Sequence, residues 1–208
     1  MKARRIWDRG RLARQLVFSL LFLSACGISG PRQATTWYAL EDLGKAAAAA
    51  KPSWPGTLLV RETDAPTFYQ SNAMAYSRAA GTRGYYQYAR QTELPAPRLA
   101  QLIRRRLEQS ALFPAVAPFG AGVEGDYQLN TTLFDFYHDA ARAPGEVKLM
   151  LEVELIRRGD AHLLARTRIE TRAPAPSHDA NGAALGANAA LTQALDRLTE
   201  WLAQLPRP

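Results

Sequence analysis

The residue whose type and position most clearly indicate a chemical reaction is Cys26, the only cysteine among 208 residues. It follows the small residues Ser24 and Ala25, which leave a peptidase room to reach the bond before the cysteine. The apolar run 16–23 lies immediately upstream; it is too short to cross a bilayer as a helix but suits the core of a signal peptide. Six basic residues precede that run: Lys2, Arg4, Arg5, Arg9, Arg11 and Arg14. The pattern predicts a signal peptide over residues 1–25, cleaved directly before Cys26.

The stretch Leu23-Ser24-Ala25-Cys26 resembles a bacterial lipobox. This resemblance implies that the Cys26 thiol carries a diacylglycerol and that the new amino terminus is acylated, palmitate being the expected fatty acid. Several acyl chains hold a protein on a membrane far more firmly than one. Gly27 follows the cysteine in place of an aspartate, a pattern similar to the outer-membrane sorting default of proteobacterial lipoproteins. An ordinary secretory signal followed by an unmodified cysteine is the alternative.

Composition limits what the remaining chain does. Removing 25 residues from 208 leaves 183, enough for one domain with a buried core. The signal segment holds six basic residues and Asp8, a net charge of +5, so the formal +7 of the whole chain leaves +2 for the mature part. A charge this small gives little support to nucleic-acid binding. Lipidation of the sole cysteine also excludes a disulfide within the mature chain, so the core must hold by packing alone.

A glycine pattern suggests nucleotide binding but lacks the necessary context. Residues 120–125 read G-A-G-V-E-G, which matches G-x-G-x-x-G. That fingerprint requires a strand before it and a helix after it, because the helix amino terminus holds the phosphate. Here Pro118 precedes the glycines and a strand pattern follows them, which favours a simple loop.

Histidine and serine chemistry are likewise weakly supported. His138, His162 and His178 lack the spacing of a metal site and are interpreted as surface or hairpin-end residues. No G-x-S-x-G sequence is present, and the pair His178-Asp179 is insufficient for a hydrolase triad. The sequence therefore predicts no catalytic residue, no metal site and no cofactor beyond the acyl groups on Cys26.

Three other groups of residues suggest surface roles. Residues 104–106, three consecutive arginines, could meet anionic head groups, although solvated arginines on a helix surface are the simpler interpretation. The tyrosines at 85, 86 and 88 could contact a partner or acyl chains, with packing on the sheet as the default. Residues 158–160 spell an adhesion-type R-G-D sequence, which a hairpin turn explains more simply.

The chain after the cysteine divides into a tether and one domain. Residues 26–36 hold the lipidated cysteine and a segment with little to bury, which predicts a flexible tether. Residues 37–208 form the predicted domain, in which the alanine run 46–50 is interpreted as a linker. Short strands are predicted at 37–40 and 57–61, followed by a hairpin within 68–90. Pro95 then opens a helix whose buried stripe is Leu99, Leu102, Ile103 and Leu107.

The strongest strand signal lies in the second half of the chain. Apolar and polar residues alternate over 127–137, 147–156 and 163–171, which predicts three antiparallel strands in a meander. A loop is predicted over 173–182. A helical stripe then runs through Ala187, Leu191, Ala194, Leu195, Leu198, Leu202 and Leu205. The predicted fold class is α+β, with both main helices on one face of a mainly antiparallel sheet.

The order of these landmarks resembles the ABC-type transport auxiliary lipoproteins, a family that includes the lipoprotein of the paraquat-inducible (Pqi) intermembrane transport system. After the lipobox come a Trp-Tyr-Ala-Leu strand at 37–40, a Leu-Leu-Val strand at 58–60 and a tyrosine-rich segment before the proline-started helix. The landmarks continue with L-E-Q-S-A-L-F-P-A-V at 107–116, D-Y-Q-L at 126–129 and Trp201-Leu202 in the last helix. The similarity covers essentially the whole mature chain.

This resemblance implies a non-enzymatic subunit of a phospholipid transport system that supports envelope integrity. The expected partner is a mammalian-cell-entry (MCE) domain protein, which bridges the periplasm and is served by an ABC permease and ATPase. The chain itself is expected on the periplasmic face of the outer membrane, held there by Cys26, with homo-oligomerisation left open. The alternative is a structural lipoprotein or an assembly factor for an outer-membrane β-barrel. A periplasmic enzyme acting on lipid or an envelope polymer is a third, weaker option.

Overall fold

The computed structural model describes residues 33–45 and 53–207. The predicted signal peptide, Cys26 and the alanine run 46–50 lie outside these residues. The chain divides into two units, Met1–Ala34 and Thr35–Pro208, and every element below belongs to the second.

Eight strands and two α-helices make up the described fold. The strands are β1 (Thr36–Tyr38), β2 (Thr57–Val60), β3 (Ala73–Ser77), β4 (Gly84–Gln91), β5 (Ala115–Pro118), β6 (Tyr127–Asp139), β7 (Glu146–Arg157) and β8 (His162–Pro174). The helices are α1 (Pro95–Ser110) and α2 (Ala180–Gln204), and a short 3-10 turn spans Thr67–Tyr69. The predicted α+β class is confirmed.

The sheet is organised around the long strand β6. One edge of β6 pairs along its length with β7, which pairs in turn with β8, and both pairings are antiparallel. The other edge is shared, since β2 lies parallel to the first part of β6 and β3 lies parallel to its end. Beyond β3 lie β4 and then β1, while β5 flanks β2. The predicted meander and the predicted hairpin of β3 and β4 are both confirmed.

Alternation along the meander creates one buried face. Leu129, Leu133, Leu151 and Leu155 are at most 1% exposed, and both helices pack on this side. A bulge between Leu133 and Asp135 shifts the alternation, so that Phe136 returns to the core. The helical stripes of α1 and α2 supply the opposing apolar layer, as the sequence predicts.

Two details of the predicted chain course are wrong. Residues 173–182 were expected to form a loop, but β8 continues to Pro174 and α2 begins at Ala180. The helix begins there because the Asp179 side chain caps it, accepting a hydrogen bond from the Gly182 N–H at 2.8 Å. The connection between α1 and β6 also contains β5, a four-residue strand that the sequence does not distinguish from a loop.

Candidate interaction surface

The glycine-rich segment has the geometry of a loop. It connects β5, which ends at Pro118, to β6, which begins at Tyr127. Because a strand follows the glycines, no helix amino terminus is available there for a phosphate. The R-G-D sequence likewise forms the turn between β7 and β8, where Asp160 pairs with Arg157 at 2.7 Å. Both predictions from sequence are confirmed.

His138 lies at the hairpin end as predicted, one residue before the end of β6, but it is not a surface residue, because it is only 1% exposed. Its Nδ1 atom lies 2.6 Å from the Tyr86 hydroxyl and its Nε2 atom lies 2.9 Å from the Pro144 carbonyl oxygen. The neutral ring satisfies both contacts when Nε2–H donates to Pro144 and Nδ1 accepts from Tyr86. Burial lowers the pKa of His138 and raises the pKa of Tyr86 to about 12. His138 therefore serves as a buried structural contact.

The other two histidines do not complete a metal site in the described part of the chain. His162 is exposed at the start of β8, while the His178 ring lies 5.9 Å from that of His138. Across residues 33–45 and 53–207, no group of three histidine, cysteine or acidic side chains is arranged to hold a metal ion.

Arg106 also departs from its predicted environment, since its side chain is 1% exposed and not solvated. Its Nε atom donates to Asp42 Oδ2 at 2.8 Å, and its Nη1 atom donates to Asp196 on α2. Asp42 also accepts from the Gly44 N–H at 3.0 Å. The sequence contained a signal for this position, because residue 106 lies three and seven positions after Ile103 and Leu99, on the buried stripe of α1.

This cluster fastens the segment after β1 to both helices. Arg98 Nε donates to the Leu40 carbonyl at 2.9 Å, while the Leu43 N–H donates to Thr192 Oγ1 at 2.9 Å. The Glu41 N–H donates to Asn188 Oδ1 at 3.0 Å. We call residues 40–44 with these partners on α1 and α2 the clasp. Its contacts are internal, which indicates a structural role.

The opposite side of the sheet differs, because neither helix covers it. We call this side the outer face. Arginines lie over aromatic rings there: Arg83 is 3.6 Å from the centroid of Tyr137, and Arg168 is 5.4 Å from that of Phe134. Phe134 is 40% exposed. These contacts combine an apolar ring with a charge that stays in solvent.

Aromatic residues continue this surface across β4 and β1. Tyr38 packs against the smaller apolar cluster on the helix side, so alternation places Trp37 on the outer face. Trp37 is 55% exposed and Tyr88 is 38% exposed. Sequence reasoning assigned the tyrosines to sheet packing by default. Tyr86 does pack in this way, and the Tyr85 ring stacks on Phe68 at 4.4 Å although it is 40% exposed. Tyr88 is exposed.

The polar residues of the outer face are paired across strands. Glu154 on β7 accepts from Arg166 Nε at 2.9 Å, and Glu152 lies 3.6 Å from Arg168. Lys148 donates to Asp139 at 2.6 Å, and this hydrogen bond lowers the pKa of Asp139. The face is therefore nearly neutralised internally, and its distinctive feature is the set of exposed aromatic rings.

Comparison with known proteins identifies a matching family and similar structures. The family model for the ABC-type transport auxiliary lipoprotein component matches residues 38–203. Protein XCC0632 from Xanthomonas campestris, of family DUF330, has a similar structure with a TM-score of 0.72 and 24% identity, over 80% of this chain and 94% of that one. An uncharacterised protein matches with a TM-score of 0.65 and 13% identity, over 82% of this chain and 99% of that one. No curated protein matches the sequence.

Neither described helix has both the length and the apolar character needed to cross a membrane. The family match extends from Tyr38, the last residue of β1, almost to the end of α2, and it includes the clasp and all of the outer face except β1 residues 36 and 37. The chain belongs to the ABC-type transport auxiliary lipoprotein family.

Proposed function

We propose that this protein is a non-enzymatic, outer-membrane lipoprotein subunit of an MCE-type ABC system that transports phospholipid. Acyl chains on Cys26 hold it to the periplasmic face of the membrane, and its folded domain docks the periplasm-spanning MCE protein. Family membership supports the role as a transport auxiliary component. The lipobox-like sequence before Cys26 supports the anchor.

The observation that carries the docking role is the uncovered outer face. Tyrosine, tryptophan and arginine are the residue types that dominate binding energy at protein interfaces. Here they lie on a sheet, which is a rigid support that loses little entropy on binding. The contacts of Arg83 on Tyr137 and of Arg168 on Phe134 hold these side chains in place before a partner arrives.

The size of the outer face also suits a protein partner. Six strands, β1, β4, β3, β6, β7 and β8, lie side by side around the end of β6. At about 4.8 Å per strand they span about 29 Å. Their lengths range from three residues in β1 to thirteen in β6 and β8, so together they present a broad surface to a partner.

Co-purification tests this proposal directly. The full chain is extracted from membranes with a gentle detergent, and co-purifying proteins are identified by mass spectrometry. We expect an MCE protein with the wild type and its loss with the double variant Phe134→Ala and Tyr137→Ala. Arg61→Ala is the matched control, because Arg61 is an exposed residue outside the outer-face contacts. Recovery of a β-barrel alone, or of the MCE protein equally with the double variant, contradicts the docking role.

The anchor is tested by a separate variant. Cys26→Ala removes the thiol that receives the diacylglycerol, so we expect the protein to leave the outer-membrane fraction. Continued sedimentation of this variant with outer membranes contradicts lipid anchoring through Cys26.

A further inference from the structure

The direction of β1 shows at which end of the sheet the chain enters the domain. β1 is parallel to β4, with Thr36 beside Ala89 and Tyr38 beside Gln91. Residues before Thr36 therefore lead toward the start of β4 at Gly84. Gly84 pairs with Tyr76, and Tyr76 pairs with His138 near the end of β6. The β3–β4 turn and the β6–β7 turn thus lie together at this end of the sheet, which we call the tether end.

The length of the tether favours this end over the opposite one. Ten residues from Cys26 to Thr36 reach at most about 35 Å. Thr36 pairs with Ala89, and the start of β4 at the tether end lies five residues before Ala89, a distance of about 17 Å. The start of β6 lies about nine residues away in the reverse direction, or about 30 Å, and its loops extend farther. If the membrane lies at the tether end, residues 26–36 are about twice as long as the distance they must cover. If it lies at the opposite end, these residues must reverse direction and be nearly fully extended.

The charges at the tether end leave an excess of arginine. Arg78 and Arg142 are both exposed, one on each turn. Within residues 33–45 and 53–207, neither forms an ion pair, and Arg78 lies over the Tyr76 ring at 5.0 Å. The three acidic groups nearby already have partners: Asp139 accepts from Lys148, Glu146 lies 3.5 Å from Arg172, and Asp179 caps α2. Two cationic side chains therefore remain available for anions.

The shape of this end allows close approach to a surface. The β3–β4 turn reads A-A-G at 79–81, with small side chains at its tip. On the β6–β7 side of this end, an open cavity of about 520 Å³ is lined by Arg142 and Arg172 and also by the carboxylates of Asp139 and Glu146. Lipid phosphates attract arginines near a membrane surface, and each such residue strengthens the contact about fivefold.

From this geometry we infer that the tether end of the sheet lies against the membrane, with Arg78 and Arg142 contacting the phosphates of anionic lipid head groups. The inference rests on the proposed anchor at Cys26. It directs the long axis of β6 away from the bilayer and leaves the outer face accessible from the side. The folded domain is thereby oriented by its own loops as well as held by its acyl chains.

Depth-dependent quenching tests this orientation in the full lipidated protein, reconstituted into phosphatidylglycerol and phosphatidylcholine vesicles. Cys26 is the only native cysteine and its thiol is acylated, so a single introduced cysteine accepts a fluorophore selectively. We use Ala80→Cys and Ala141→Cys at the tether end, with Ala121→Cys in the β5–β6 loop as the matched exposed control. A quencher attached to lipid head groups is expected to quench the first two labels at least fivefold more than the third.

Charge dependence is measured with the same labels. Arg78→Gln combined with Arg142→Gln is expected to remove the difference between anionic and purely zwitterionic vesicles, whereas Arg61→Gln leaves it intact. Equal or stronger quenching of the Ala121→Cys label overturns the orientation, and an unchanged lipid preference in the double variant overturns the role of the two arginines. A protein that does not float with vesicles refutes the anchor and this inference together, while loss of the MCE partner alone refutes only the proposed function.

Discussion

The clasp and the outer face place arginine in two opposite environments. In the clasp, Arg106 is 1% exposed and is bound to Asp42 and Asp196. On the outer face, the Arg168 side chain is 53% exposed and lies over Phe134. A buried arginine without its acid is costly, whereas an exposed one loses little when its partner is removed. The same residue type therefore controls stability on one side of the sheet and is available for binding on the other.

The largest expected effect comes from breaking the clasp. Arg106→Ala leaves Asp42 with its main cation removed, and we expect the free energy of unfolding to fall by about 3–5 kcal/mol in urea titrations. Arg104→Ala on the same helix removes only an exposed pair with Glu108 and is expected to cost less than about 1 kcal/mol. Similar losses for the two variants contradict the distinction between buried and exposed arginine.

A smaller effect is expected from crowding the clasp without changing its charges. A Cβ atom at Gly44 would lie 2.1 Å from Arg106 Nη2 and 3.0 Å from Thr192 Cγ2. Gly44→Ala must therefore displace the guanidinium, and we expect a loss of about 1–3 kcal/mol in thermal or urea unfolding. Gly159→Ala is the control, because nothing lies within 4 Å of its added carbon. The interpretation is wrong if the control is destabilised as strongly.

On the outer face we expect substitutions to separate binding from stability. Phe134→Ala is expected to weaken binding of the proposed MCE partner at least tenfold, a change of about 1.4 kcal/mol, as measured by surface plasmon resonance. Its unfolding free energy should change less than that of Leu133→Ala, which empties a core site and costs about 2–5 kcal/mol. Equal destabilisation by these two neighbours would mean that Phe134 belongs to the core.

The smallest expected effect is on the pH dependence of the free energy of unfolding, to which buried His138 contributes and exposed His162 serves as the control. Burial holds the pKa of His138 below its unfolded value, so the unfolded state binds the proton more readily. Stability is fully present above about pH 6.5 and falls at lower pH, by less than about 1.4 kcal/mol per pH unit. His138→Asn should reduce this slope in urea titrations between pH 5 and 8. His162→Gln should leave it unchanged, and a loss of slope in that control contradicts the assignment to His138.

Sequence patterns predicted the parts of the fold that depend on periodic burial. Alternation located β6, β7 and β8, and the spacing of Leu99, Leu102, Ile103 and Leu107 located α1. Positions that depend on partners distant in sequence were assigned less well. Arg106 looked solvated because its partners Asp42 and Asp196 lie 64 and 90 residues away. His138 lies at the predicted hairpin end, but its burial was missed because the bulge that turns it inward is set by pairing with β7.

The interaction surface was harder to predict than the fold. Arg83 and Tyr137 are 54 positions apart in the sequence, and only the alignment of β4, β3 and β6 brings them together. No local motif records such a contact. Cys26, by contrast, was found because its signal is entirely local; it lies outside the described residues, and its lipidation stays a prediction.

The parallel pairing of β1 with β4 has a mechanical consequence for a tethered protein. Under the proposed lipid anchor, tension would enter at Thr36 along the axis of β1, so the hydrogen bonds to β4 would be loaded in shear and would have to yield together rather than one by one. β1 has only three residues, which makes it a weak first support. The clasp at residues 40–44 lies directly behind it and distributes the remaining load over both helices. In the proposed arrangement, the domain is thereby suited to stay folded while it is pulled between a membrane and a partner.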